Sequence, residues 1–117
     1  MENTELKRQK HALKCIKSVL RDKKEYKSFI ENFGLLVYNN GLINTMLYTK
    51  SKNRTAYQHI KEWLTPENYV FGFSQDENDQ DIFIEQLISC EMEQLLEVTQ
   101  EVIRLADGLK LMAKAEL

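Results

Sequence analysis

The chain has 117 residues, 43% apolar and 29% charged, a length that suits one domain and a composition too apolar for general disorder. A single domain spanning 1–117 is expected. No apolar run approaches bilayer length and the N-terminus carries no signal-type apolar core, so a cytoplasmic protein without a membrane partner is expected. The net charge of −2 conceals an uneven division. Met1 to Leu64 holds thirteen Lys and Arg against six Asp and Glu, a balance of +7, and Thr65 to Leu117 holds three against twelve, a balance of −9. Such asymmetry points to a polyanionic partner for the basic half or to attraction between neighbouring copies.

Four glycines, one proline and no sustained strand alternation predict an all-α, compact single-domain bundle, of about five to seven helices. The first helix is expected from about Thr4 to Arg21, with Leu6, Leu13, Ile16 and Leu20 as its core face. A second stripe shares its period: Lys7, Lys10, Lys14, Lys17, Arg21 and Lys24, centred roughly 90° from the apolar one. Lysines on helices usually solubilise, but few acids interrupt this row, which favours nucleic-acid contact.

The second helix, about Lys23 to Asn39, offers Tyr26, Phe29, Ile30, Phe33, Leu36 and Val37 to the core, and Gly34 is a place where a neighbouring helix could come close. Asn39-Asn40-Gly41 then reads as one helix ending and the next beginning at once, because glycine tolerates positive φ. The third helix, about Leu42 to Thr49, turns Leu42, Met46 and Leu47 inward and delivers Lys50, Lys52 and Arg54 to its exit. The fourth, about Asn53 to Leu64, has Ala56, Tyr57, Ile60, Trp63 and Leu64 on its apolar side. Short connections imply antiparallel neighbours.

Thr65-Pro66-Glu67 matches a helix start, with threonine as N-cap and proline at the first position. Tyr69 to Phe73 is a short β-like run, whose Phe71 and Phe73 are expected in the core. The acids of Ser74 to Asp81 suit the N-terminus of a following helix, and their spacing does not match an EF-hand loop. Helix resumes at Ile82, Leu87 and Ile88, breaks near Ser89, and continues through Leu95, Leu96, Thr99, Val102, Ile103, Ala106, Leu109 and Ala113.

Chemistry is sparse. Cys15 and Cys90 belong to no CxxC pair and read as small packed thiols. His11 sits one turn before Cys15, but two ligands fall short of the four a structural zinc needs. His59 reads as a surface or packing residue. No phosphate loop, nucleophile elbow or zinc-protease helix occurs, so no catalytic residue, metal centre or cofactor is expected and a binding module is favoured over an enzyme.

Asn40-Gly41-Leu42 followed by Thr45, Tyr48 and Lys52 resembles the helix entrance and exit, of the form NGL-x-x-T-x-x-F-x-x-x-K, of the small all-helical subunit of type III-B (Cmr) CRISPR RNA-guided effector complexes, with tyrosine in place of phenylalanine. Thr99 and Glu101, similar to that family's T-x-E helix, and Leu109-Lys110 with Ala113 and Ala115 extend the likeness. Gly108 stands where tryptophan is common, which predicts looser packing of the last helix. Leu111 stands where arginine is frequent, removing one cation. The resemblance implies a non-catalytic subunit that stacks along the inner filament, with other Cmr subunits, guide and target RNA and neighbouring copies of itself as partners. Backbone support of RNA would fall to Lys10, Lys14, Lys17, Arg21, Lys24, Lys50, Lys52 and Arg54. The sister type III-A small subunit, or a structural adaptor for an acidic protein, is the competing reading.

Overall fold

The computed structural model describes residues 3–66, 68, 73 and 76–117. Among them the chain forms six α-helices: α1 Thr4–Ser18, α2 Lys23–Asn40, α3 Leu42–Lys52, α4 Arg54–Trp63, α5 Phe83–Ile88 and α6 Met92–Glu116. Asn3 caps α1 by accepting from the Leu6 N–H at 2.8 Å, and Asn53 caps α4 through the Ala56 N–H at 3.1 Å, each satisfying a backbone donor that the helix cannot.

The α2–α3 junction depends on Gly41. Its φ of 80° and ψ of 164° lie where only glycine is at ease, and its N–H closes α2 on the Val37 carbonyl while its own carbonyl opens α3 by accepting from Thr45. One residue therefore ends a helix, starts another and turns the chain. Both flanking helices outrun their expected bounds, α2 by one residue and α3 as far as Lys52, because Asn53 rather than Thr49 carries the next break.

α6 is the spine of the bundle, packed against α1, α2 and α4. Its buried residues Val98, Val102, Leu105, Leu109 and Ala113 form one helical stripe, while Leu96 is exposed. Tyr26, Phe33, Tyr57, Trp63 and Phe83 are the largest fully buried side chains of the bundle. α2 and α3 are antiparallel neighbours, as the short turn between them implies; α1, by contrast, packs chiefly on α6. A Cβ at Gly108 would stand 3.7 Å from that of Ala12, so these small residues bring α6 and α1 close together and the looser packing expected there is not found. Gly34 plays no such part, since a Cβ there would meet nothing within 4 Å.

The core face of α1 also differs from expectation. Ala12, Cys15, Ile16 and the following Val19 are buried, whereas Leu6 is 48% and Leu20 81% exposed. Close approach of α6 favours the face with small side chains over the face with leucines. α1 ends at Ser18, three residues early, because the Ser18 hydroxyl donates to the Cys15 carbonyl and Val19 turns extended into the core. Leu47 of α3 is likewise exposed rather than inward.

Thr65-Pro66 does not begin a helix. The Thr65 hydroxyl and the Asn68 amide both donate to the Glu62 carbonyl, so this segment finishes α4 instead of starting an element. Of the β-like run only Phe73 is described; it is buried edge-on against Phe83 with ring centroids 5.6 Å apart, as core packing requires. Phe71 lies outside the described residues. Asn78 and Asp79, both at positive φ, reverse the chain between Glu77 and Gln80. Asp81 then accepts from the Phe83 N–H at 3.0 Å, giving α5 the acidic start its sequence suggests.

Candidate nucleic-acid interface

Lys7, Lys10, Lys14 and Lys17 are all exposed along α1. Because the buried face is Ala12, Cys15, Ile16 and Val19, at roughly 100° per residue the row lies on nearly the opposite side of the helix, rather than beside the core. The correction follows from the exchange of leucines for small residues at the α6 contact. The row therefore faces solvent squarely.

Past α1 the cations continue at one end of the bundle. Ser18 of α1 meets His59 of α4, and the His11 ring lies tilted against Trp63, so α4 runs antiparallel to α1 and its first residue, Arg54, lies toward the α1–α2 turn. Exposed Arg21 and Lys24 occupy that turn and the start of α2. Lys24 shares a groove with Lys52, at the exit of α3. This groove, about 550 Å³ in volume, runs between α2 and α3 beneath Phe29 and Tyr48.

Lys50 faces the other way. Its ammonium lies 3.1 Å from an Asp81 carboxylate oxygen and 5.7 Å from the Tyr57 ring centroid. Asp81 also receives the Tyr57 hydroxyl at 2.5 Å and Lys61 at 3.1 Å. Burial alone would raise the Asp81 carboxyl, but the Tyr57 hydroxyl, the Phe83 N–H, Lys50 and Lys61 together hold it well below the usual carboxylate range. One carboxylate thus draws Lys50 toward the acidic segment, whereas Lys52 lines the groove between α2 and α3.

The groups with chemical potential are committed to structure. Glu101, 2% exposed, accepts two N–H bonds from Arg8 and one from the Trp63 indole. The Ser18 proton is given to the Cys15 carbonyl at 2.6 Å; His59 Nε2, 3.1 Å from that hydroxyl, is therefore the donor, and Nδ1 accepts from Tyr26 at 2.7 Å. Burial, with a smaller push from His11, lowers His59 to about 4 and keeps it neutral. Burial also raises the Cys15 thiol to about 12, so it carries no thiolate at neutral pH.

Glu62 joins His11 and Cys15, the three donor atoms lying within 4.8 Å of one another. That third neighbour is far away in sequence and no local spacing reveals it. His11 Nε2 already faces the His59 carbonyl at 2.9 Å, however, and three donors remain one short of a closed zinc site. Glu101 is legible in the sequence only as part of a motif, and its burial comes from pairing across three helices.

No helix among the described residues is long and apolar enough to cross a membrane. No curated protein matches the chain. A family model described as CRISPR-associated protein (Cas_Cmr5) matches residues 4–116, nearly the whole sequence. With its all-helical bundle and the NGL junction at Gly41, the chain belongs to the Cas_Cmr5 family, the small subunits of type III-B CRISPR effector complexes.

Proposed function

We propose that the chain is a non-catalytic subunit that stacks in several copies along the inner filament of the Cmr complex and supports guide and target RNA through backbone contacts. Base sequence would then be read by guide–target pairing, as in other RNA-guided effectors. One observation carries this reading: the Lys10, Lys14 and Lys17 row points directly away from the core. Arg21, Lys24, Lys52 and Arg54 continue it at the bundle end. Exposed cations on long side chains suit phosphates, which need charge and reach rather than a base-edge code. Lys50 contributes least, because Asp81 already holds its ammonium.

Absence of catalysis is supported by the use of Glu101, His59 and Cys15 in packing contacts. Stacking is supported by the opposite charges of the two halves, +7 and −9, which favour a head-to-tail contact that propagates instead of closing. The chain acts in this reading as a single cytoplasmic domain. Charge reversal at Lys14, Lys17 and Arg21 in the assembled complex tests it, with loss of RNA retention as the expected result. Unchanged retention would instead favour an adaptor for an acidic protein partner.

A further inference from the structure

The groove between α2 and α3 contains more than its two lysines. Phe29 and Tyr48 lie nearly parallel across it, with centroids 6.1 Å apart and planes 21° from each other. Tyr48 is 47% exposed, so part of its ring remains open to solvent. A smaller recess of about 330 Å³ adjoins at Tyr48 and is lined by Thr45. Thr45 is 1% exposed, and its hydroxyl is buried with no hydrogen-bond partner.

We infer that this groove is a nucleotide subsite for single-stranded RNA, in which a base stacks on the free face of Tyr48 while its phosphates lie between Lys24 and Lys52. The Phe29–Tyr48 pair supplies a flat platform suited to any base. Lys52, one helical turn beyond Tyr48, and Lys24 across the groove supply the charge. Glu25 also lines the groove, leaving a balance of one positive charge and directing the anion toward Lys52. This inference rests on the RNA-supporting reading and adds base contact to what that reading treats as backbone contact alone.

The test uses the full chain and a uridine-rich RNA decamer carrying one 2-aminopurine. Quenched 2-aminopurine emission is expected on binding to the wild type and to Tyr48→Phe. With Tyr48→Ala, quenching is lost and affinity falls on the order of tenfold. Lys52→Gln leaves the quench intact and makes the salt dependence shallower by about one contact. Uridine monophosphate is expected to displace the decamer only at far higher concentration. Binding and quenching unchanged in Tyr48→Ala would overturn the subsite while leaving the RNA-supporting role standing, as would loss of both in Tyr48→Phe or equal affinity for the mononucleotide. Failure of the wild type to bind RNA at low salt would overturn both. Thermal unfolding of the alanine variant, in which only a half-exposed ring is removed, separates misfolding from lost stacking, and Tyr48→Phe, which keeps the ring, decides the matter independently.

Discussion

Arg8 and Glu101 join α1 to α6 through a two-pronged pair, Nε to Oε1 at 2.6 Å and a terminal guanidinium nitrogen to Oε2 at 3.0 Å, with the Trp63 indole adding a third donor from α4 at 3.0 Å. A carboxylate this buried is tolerable only because three N–H groups replace its water. Removing it strands a guanidinium whose side chain is 14% exposed. Glu101→Ala is therefore expected to destabilise the chain by about 3–5 kcal/mol. The double change Arg8→Met, Glu101→Leu should recover much of that. Urea unfolding of the three proteins checks both statements.

His59 makes stability depend on pH. Its folded pKa of about 4 lies below the ordinary 6.5, so the unfolded chain binds more protons between those values. The stabilising contribution is complete above pH 6.5 and is lost as pH falls toward 4. A loss of about 2 kcal/mol between pH 7 and pH 5 follows from linkage at this one site. His11, lowered chiefly by burial, adds in the same direction. Asp81, also depressed, contributes above the ordinary carboxylate range and fails only at lower pH, so a second drop follows the first. Denaturant midpoints at pH 7, 5 and 3 read out both steps.

Gly41 and Gly34 give opposite predictions. At Gly41, φ is 80° and ψ 164°, and alanine there is expected to cost about 1–3 kcal/mol through backbone strain. Gly34 is inside α2 with open space where a Cβ would go. Gly34→Ala should stabilise by about 0.5–1 kcal/mol. Thermal unfolding of both variants provides the comparison.

The same contrast shows what sequence conveys. The NNGL junction is readable because one glycine in a known geometry determines it locally. The apolar side of α4 is readable because Ala56, Tyr57, Ile60, Trp63 and Leu64 leave one possible face, and all five are buried. α1 misleads because Leu6, Leu13 and Leu20 outrank Ala12 and Cys15 in hydrophobicity, while the outcome is decided by Gly108, nearly a hundred residues away. Thr65-Pro66 misleads for a related reason: the same residues that cap a helix start also satisfy the carbonyls of a helix end. The cationic row itself is legible, but its direction away from the core depends on the α6 contact. Lys50 is indistinguishable from Lys52 by sequence, and only Asp81 separates them.

That separation is testable. Lys50→Gln should weaken RNA binding little and lower stability, because its partner is Asp81. The same change at Lys17 should do the reverse. Titrations with labelled single-stranded RNA, paired with melting curves, distinguish the two lysines.

The central claim is that solvent-facing cations of α1 and the adjoining bundle end hold phosphates. The most direct measurement is the slope of log affinity against log salt for single-stranded RNA, compared between the wild type and a Lys14→Gln, Lys17→Gln, Arg21→Gln variant of unchanged stability. Removing three phosphate contacts should make the slope shallower by about 2. An identical slope in the two proteins would contradict the account.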